Sequence, residues 1–430
     1  MSKILQLLFL LLITMSCSKD YIDKSTDNPE STSEIELTST YGSVDFSEIY
    51  LKYNSSDVLQ TQIRRELTES PLTVYDGDLV ALDTTFKTYH IDYRSSLDQP
   101  SLSPNTTYYY SIFYKSGATA NAAVRLKDFT IKTLTYELGM LQVMSELIDY
   151  SKSKNSNLKF VLESELLELF YESDKSFTNS SLILSVDAIL ISSLLYSPTD
   201  VAQSSTQVEQ NNDYLTELVQ SKKVFAIDYL SKTNISGLNT SRSNFINKSV
   251  IGFNRPASTL NIFENLPSII NESSNSVITS LSDTDLKNFI FLDQPVPNMI
   301  TSLNATNYDF IIMTPFKSFP WASLTDMYSA NDISTIKTKA DNTSSRQVFA
   351  FIDLSRVWKD AYYWQADYNA KRPNWIDPNV SVNSNDYYVK YWRNDWKNII
   401  KAILDRVSEN GYHGIVFGGG GVYSKHPITN

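Results

Sequence analysis

Eight short runs of consecutive apolar residues lie between residue 136 and residue 430, separated by text of helical periodicity. In chain order the runs are KFVLE, AILIS, KVFAID, SVIGF, NFIFLD, YDFIIMT, QVFAFID and GIVFG. Uninterrupted apolar runs are typical of parallel strands that are buried on both faces. Eight such strands with intervening helices predict an α/β TIM-type (β/α)8 barrel. A doubly wound open sheet would show the same periodicity and stays open as an alternative.

The preceding residues, 35–135, have a different pattern, in which apolar and polar residues alternate between turn residues. This alternation predicts antiparallel strands. The segment LSPNTTYYYSIFYK contains an L-x-P-x-T-x-Y pattern that ends at Tyr108. The pattern resembles the approach to the penultimate strand of a fibronectin type III-like or immunoglobulin-like β-sandwich, in which the tyrosine hydroxyl bonds back to the backbone. We therefore expect a multidomain chain, with such a β-sandwich at 35–135 and the barrel at 136–430.

The N-terminus, MSKILQLLFLLLITMSC, has a lysine, an apolar run and a small residue before Cys17, which is the only cysteine of the chain. The apolar run is too short to span a bilayer as a mature helix and is typical of a secretory signal. The end of the run resembles the lipobox of bacterial lipoproteins. The resemblance implies a signal peptide at 1–16, acylation of Cys17 and a lipid anchor in the bacterial outer membrane. Residues 17–34 are polar and aperiodic, which predicts a flexible tether, and whether the protein faces the periplasm or the outside stays open.

Charge and residue types exclude several classes of function. The net charge of −11 and the pI of about 4.9 argue against nucleic acid as a partner. The three histidines lack the spacing of a metal site, and no cofactor is expected. The run GGGG near the C-terminus lacks the Lys-Ser/Thr of a P-loop, and no helix is predicted after it, so a phosphate cradle is not expected. Aromatic residues make up 12% of the chain, which suits stacking on sugars and also the lining of β-sheets.

Several segments together resemble glycoside hydrolase family 114 and its relatives, which include endo-α-1,4-polygalactosaminidases with a TIM-type barrel. The clearest is the stretch YYWQADYNAKRPNWIDPNVSVNSNDYYVKYWRNDWKNIIKAILDRVSENGYHGIVF. It looks like the family's Pro-x-Trp, "Y-x-V-K-Y-W-x-x-x-W", helix and "G-F-D-G-V-Y-L-D" strand. The residues that fall in register are Tyr388, Lys390, Tyr391, Trp392, Trp396, Gly411 and Gly414.

The family's acidic positions are largely replaced here. Glycoside hydrolysis needs two carboxyl groups that flank the scissile bond, and a barrel carries them at the C-terminal ends of its strands. At the positions that match the family's acids, this chain has Ser192, Thr314, Arg356, Trp358, His413, Gly418 and Gly421. The resemblance therefore implies a degenerate, non-catalytic member, and we expect the protein to bind a polysaccharide or oligosaccharide without cleaving it.

Some acids remain near predicted strand ends. Asp228 matches the family's "V-x-D-Y" position, and Asp228 with Asp353 or Asp293 is the best acid–base pair if the barrel is active. Asp353 is three residues from Arg356, which predicts an ion pair. Asp187 and Asp309 lie at strand starts, where we expect them to cap or pair, and we expect His413 to be packed or hydrogen-bonded.

The leading hypothesis from the sequence is thus saccharide binding at the barrel mouth. The candidate binding residues are Arg356, Trp358, Tyr363, Trp364, Trp375, Tyr391 and Trp392. Packing is the competing interpretation for these aromatic residues, and it is favoured for Trp396 on the following helix. Two other functions stay open: an active glycosidase on an amino-sugar or other polysaccharide that uses the remaining Asp residues, and a surface adhesion or scaffold protein.

Overall fold

A computed structural model describes residues 35–54, 56, 58–84, 87–93, 102–116, 123–167, 181–255, 276–370, 372–373, 375–383 and 385–425. The chain divides into two compact units between Gly139 and Met140. The predicted signal peptide at 1–16, the tether at 17–34, Cys17 and His426 lie outside the described residues.

The first unit contains two antiparallel sheets, with the strand orders β1-β2-β5 and β4-β3-β6-β7. The strands are β1 Ile35–Gly42, β2 Phe46–Tyr53, β3 Val58–Glu66, β4 Asp78–Asp83, β5 Tyr89–Tyr93, β6 Thr107–Ser116 and β7 Val124–Lys132. Apolar side chains of both sheets form one buried cluster, which includes Ile49 and Ile63. The alternation of buried and exposed residues along β3 follows from the two-residue period of a strand with one face on a core.

Two polar interactions organise this unit. The Tyr108 hydroxyl accepts a hydrogen bond from the Ser103 N–H at 2.6 Å, which confirms the predicted bond back to the backbone. Inside the unit, Arg65 of β3 pairs with Asp92 of β5 at 2.8 Å, and the Tyr110 hydroxyl donates to the same carboxylate. This buried pair links a strand of one sheet to a strand of the other. The fibronectin type III-like assignment stays a prediction.

The second unit is built on eight parallel strands in the order β11-β10-β9-β8-β18-β14-β13-β12. The strands are β8 Lys159–Glu163, β9 Ala188–Ser192, β10 Lys223–Tyr229, β11 Ile251–Arg255, β12 Phe289–Leu292, β13 Phe310–Met313, β14 Gln347–Asp353 and β18 Gly414–Gly418. Each of the eight predicted apolar runs forms one of them. The order around the sheet is the order along the chain, and its two end strands, β11 and β12, lie next to each other. This is a nearly closed barrel, as predicted, rather than a doubly wound open sheet.

Helices and a small sheet connect the barrel strands. The α-helices are α1 Tyr136–Lys154, α2 Ser181–Ser185, α3 Ser205–Ser221, α4 Ile235–Asn247, α5 Met299–Asn304, α6 Ala330–Lys337 and α7 Asn394–Glu409. An antiparallel sheet follows β14, with the strands β15 Arg356–Trp358, β16 Ile376–Asn383 and β17 Asp386–Val389 in the order β15-β17-β16. Along α7 the buried residues recur at helical spacing from Trp396 to Val407, so one face packs on the barrel. None of the described helices is both long and apolar enough to cross a membrane.

The strand starts carry structural polar residues, as expected. The Asp309 carboxylate pairs with the Lys339 ammonium at 2.6 Å, and both side chains are fully buried. Asp187 pairs with Lys159 at 3.1 Å and accepts a backbone hydrogen bond. His413 Nδ1 accepts a hydrogen bond from the Val348 N–H, and burial lowers the pKa of His413 to about 4, so its imidazole is neutral. The predictions for Asp187, Asp309 and His413 are confirmed.

Candidate active site

Glu163 is the last residue of β8 and lies at the C-terminal end of the barrel, where barrel enzymes place their catalytic groups. Its Oε1 accepts a hydrogen bond from the Ser192 hydroxyl at 2.7 Å, and its Oε2 lies 3.4 Å from the Gly419 backbone nitrogen, which donates to it. Burial of the carboxyl raises the pKa of Glu163 to about 8, and the nearby charges of Glu165 and Asp353 act in the same direction. The residue keeps a partly exposed surface. Burial therefore favours the neutral, protonated form of Glu163.

Asp353 supplies a second carboxyl group at the end of β14. Its Oδ2 pairs with Arg356 Nη2 at 3.1 Å, which confirms the predicted ion pair. Its Oδ1 accepts hydrogen bonds from the backbone N–H and the hydroxyl of Ser355. The Arg356 guanidinium also lies 3.6 Å from Asp386, and the negative charge of Asp353 raises the pKa of Arg356. The carboxylate is thus fixed on one side by a cation and a serine.

The glycine run lies between these two carboxyl groups. Strand β18, which ends in the first glycine of the run, pairs with β8 on one side and with β14 on the other. A Cβ on Gly418 would lie 2.6 Å from Oε2 of Glu163, and a Cβ on Gly419 would lie 2.4 Å from Oδ1 of Asp353. Real Cβ atoms do not approach oxygens this closely, and Gly419 also has a φ of +72°. The glycines therefore provide the space in which the two carboxyl groups converge.

The same run supplies backbone donors to acids. The Gly421 N–H donates to Oε2 of Glu165 at 3.1 Å, in addition to the contact of Gly419 with Glu163. The sequence predicted no helix after the run. In the structure a short 3₁₀ helix, Gly420–Lys425, begins within the run and continues past it. The groups beside the run are carboxyl groups rather than a cation, so a phosphate cradle is still not expected.

A second polar group lies at the ends of β10, β11 and β12. Arg255 Nη2 pairs with Oδ1 of Asp293 at 3.0 Å, and the guanidinium lies 5.1 Å from the ring centre of Phe291. Burial raises the pKa of the Tyr229 phenol to about 12, so it stays protonated. Asp293 is thus paired with Arg255, and it follows β12, which is not a neighbour of β18, so it does not share the space of the glycine run with Glu163.

Asp228 has a structural environment. Its side chain is fully buried, and it accepts hydrogen bonds from the backbone N–H groups of Leu195 and Tyr196 and from the Ser241 hydroxyl. Burial raises its pKa. Because its acceptor sites are occupied by groups that fix the loop after β9, Asp228 holds this loop in place rather than facing a ligand.

We expect Asp228→Ala to destabilise the second unit by about 2–4 kcal/mol, because it leaves two partly buried N–H groups and a buried hydroxyl without their acceptor. The measurement is urea denaturation followed by tryptophan fluorescence. The control is Asp149→Ala, at an exposed position of helix α1, which should change the free energy of unfolding by less than about 0.5 kcal/mol. Equal effects of the two substitutions would contradict the structural role of Asp228.

The structure separates the aromatic candidates into buried and accessible residues. Trp358 and Trp364 keep partly exposed surfaces. The candidates with buried side chains are Tyr363, Trp375, Tyr391 and Trp392. Trp375 stacks on Trp396 at 5.9 Å between ring centres. These four side chains therefore pack in the interior, as does Trp396, for which packing was expected. Accessible stacking surface comes instead from Trp358, which shares strand β15 with Arg356, and from Phe319, which is 45% exposed, was not predicted and lies 5.4 Å from the Trp358 ring.

Glu163 and Glu165 are the main residues that the sequence did not single out. Glu163 ends the apolar run KFVLE, so its position at a strand end is visible in the sequence. None of the family motifs that the chain resembles covers this run, so only the strand-end position could have indicated Glu163. Among the described residues, no three His, Cys, Asp or Glu side chains are arranged to share a metal ion.

Comparison with known proteins gives only short or weak matches. No family model matches the chain. An uncharacterized protein of Thermotoga maritima is 32% identical over 66 residues, which are 15% of this chain and 20% of that protein. One of Methanocaldococcus jannaschii is 26% identical over 88 residues, 20% of this chain and 24% of that protein. The chain thus spans about a quarter or less of the length of these relatives.

One solved structure with a partial match is a β-1,2-glucanase from Parabacteroides distasonis, which is 13% identical. The match covers 27% of this chain and 15% of that one, with a TM-score of 0.19. The resemblance to glycoside hydrolase family 114 stays a prediction.

Proposed function

We propose that the barrel mouth binds a saccharide and hydrolyses a glycosidic bond, with Glu163 as general acid and Asp353 as the second carboxyl group. The observation that carries this proposal is the pair of carboxyl groups on either side of strand β18, one neutral and one ion-paired. Strands two places apart in a sheet are separated by roughly 10 Å, and side chains that lean over the intervening glycines come closer. This spacing suits the flanking carboxyl groups of glycoside hydrolases.

The two carboxyl groups have different tasks in such a reaction. The Ser192 hydroxyl donates to Oε1 of Glu163 at 2.7 Å, whereas the Gly419 N–H reaches Oε2 only at 3.4 Å, so Oε2 is the oxygen better suited to carry the proton. Glu163 would pass this proton to the leaving oxygen as the bond to the anomeric carbon breaks. Water would add to that carbon and lose its proton to the Asp353 carboxylate. Asp353 would then return a proton to Glu163 through solvent, which restores both groups.

A saccharide is the favoured ligand because a partly exposed aromatic ring, Trp358, lies on the same strand as Arg356, the ion-pair partner of Asp353. Trp358 is two residues after Arg356 on β15, so the two side chains lie on the same face of that strand. The Arg356 guanidinium, 37% exposed, could bond sugar hydroxyl groups while it holds Asp353. A stacking ring beside a polar cluster is the usual composition of a sugar site.

Binding without cleavage is the second candidate. It is favoured by Thr314 and Gly418, which leave the ends of β13 and β18 without the acids of the resembled family. It is also favoured by the contacts of Asp353, because Arg356 and Ser355 occupy the carboxylate oxygens that would have to accept a proton from water. We further propose, from the sequence, that the protein is a lipoprotein anchored in the outer membrane through Cys17, with a fibronectin type III-like domain as a spacer. Adhesion through that domain would be a third function.

The deciding experiment is a polysaccharide screen that scores binding and reducing-end release on the same protein. Release at enzyme-like rates supports hydrolysis, whereas binding without release supports the second candidate. Glycan or protein binding by residues 35–135 alone, with none by the barrel unit, would support adhesion and contradict a saccharide site at the mouth.

A further inference from the structure

A cleft of about 710 Å³ opens beside the barrel mouth, between the loops that follow β12 and β13. It is lined by residues 294–301, 317–319 and Tyr328. The function proposed above does not use it. Its walls combine apolar groups, such as Phe319 and Pro295, with amide groups, such as Gln294 and Asn298. This mixture of a ring face and hydrogen-bonding groups fits a sugar better than a purely apolar ligand.

An aromatic path connects the cleft with the carboxyl pair. The Phe319 ring, on the cleft wall, lies 5.4 Å from the Trp358 ring, with an angle of 73° between the planes. Trp358 shares strand β15 with Arg356, which binds Asp353. A chain of sugar rings could therefore contact the carboxyl pair, Trp358 and Phe319 in succession.

The loop that carries Phe319 is held in place before any ligand binds. Phe316 stacks on Trp321 at 4.5 Å between ring centres and 9° between planes, and Ser318 hydrogen-bonds Asp326. The Lys317 N–H donates to the Asp326 carbonyl at 3.0 Å. These contacts fix the residues that precede Phe319, while Phe319 itself is 45% exposed, so we expect ligand binding to require little ordering of this loop.

Asn298 adds an exposed polar side chain to the lining of the cleft. It occupies the N-cap position of helix α5 with a φ of 56°, but its side chain makes no capping hydrogen bond. Asparagine is a preferred N-cap residue because its side chain usually makes that bond. Its amide is exposed and available to a ligand in the cleft.

We infer that this cleft is a distal sugar subsite, so that the ligand is an oligomer extending from the carboxyl pair past Trp358 onto Phe319. This inference rests on the function proposed above. It specifies in addition that the ligand is longer than a disaccharide and that its distal end binds in this cleft.

The test is titration calorimetry with ladders of galactosamine, galactose and galacturonic acid oligomers, from the disaccharide to the octasaccharide. Glu163→Gln serves as the background so that no oligomer is cut. We expect affinity to rise with length for the ladder that binds. Phe319→Ala should remove about a tenfold gain for the long oligomers and leave the shortest unchanged. Asn298→Ala should reduce the same gain, and the control Tyr75→Ala, a ring 86% exposed in the other unit, should leave it intact.

The outcomes separate the subsite from the function. Loss of the length-dependent gain in Phe319→Ala supports the subsite, whether or not the wild-type protein cleaves the oligomer. Unchanged affinities of Phe319→Ala at every length, with cleavage intact in the otherwise wild-type protein, overturn the subsite and leave the proposed function standing. Absence of both binding and cleavage for every ladder overturns both.

Discussion

Glu163→Gln should lower the rate of glycoside hydrolysis by about 100- to 10,000-fold, while saccharide binding changes little. Glutamine keeps the size of the side chain and can still accept the hydrogen bond from Ser192. It has no proton to give to a leaving oxygen. The measurement is the rate of reducing-end release beside the dissociation constant for the same oligosaccharide. Glu209→Gln, at an exposed position of helix α3, is the matched control and should keep full activity.

The pH dependence of the wild-type protein follows from the same group. Burial raises the pKa of Glu163 to about 8, so the protonated fraction falls as the pH rises through that value. We expect kcat/KM to decrease about tenfold per pH unit above pH 8. A profile that rises between pH 7 and pH 9, or full activity of Glu163→Gln, would contradict Glu163 as the acid.

Folding stability gives an independent check that needs no substrate. An unfolded glutamate titrates near pH 4.3, well below the value of about 8 in the folded protein. Between these values the folded state binds one more proton than the unfolded state, so the free energy of unfolding falls as the pH rises. Glu163→Gln removes this loss. We expect the variant to gain stability relative to the wild type from pH 5 to pH 9, and to gain none below pH 4.

Gly418→Asp, which restores the acid of the resembled family, should destabilise the barrel by about 3 kcal/mol rather than create activity. A Cβ at this position would lie 2.4 Å from the Phe351 ring and 2.6 Å from Oε2 of Glu163. The new carboxylate would also be placed at a buried position opposite Asp353, where both desolvation and the like charge of Asp353 disfavour it. The measurement is the midpoint and slope of urea denaturation.

Gly411→Asp is the control for adding an aspartate to a glycine of the same unit. Gly411 has a φ of +78° and no atom within 4 Å of an added Cβ, so the cost should be only the backbone strain of about 1 kcal/mol. Gly418→Ala separates crowding from charge, because it adds the Cβ alone. Hydrolysis that increases in Gly418→Asp would show that the glycine marks a lost acid rather than a space for Glu163 and Asp353.

The sequence by itself determined the barrel and several of its local contacts. All eight apolar runs form parallel strands, because a segment buried on both faces must be apolar along its whole length. The ion pair of Asp353 with Arg356 was also predictable, because the two residues are three positions apart. The hydrogen-bonded His413 was predictable because it lies at the start of a strand. The hydrogen bond from the Ser103 N–H to the Tyr108 hydroxyl was predictable for a similar reason, because it joins residues only five positions apart.

Only the tertiary structure decided the character of the site. The exposure of the aromatic residues depends on packing, and Tyr391 and Trp392 are buried although their motif suggested contact with a ligand. The glycine run looked like a place where acids had been removed. In the fold, the strand that carries it lies between β8 and β14, so its missing side chains make room for Glu163 and Asp353, which are far apart along the chain. Proximity across strands and the pKa that results from it belong to the folded barrel, because burial and neighbouring charges exist only once the strands have closed.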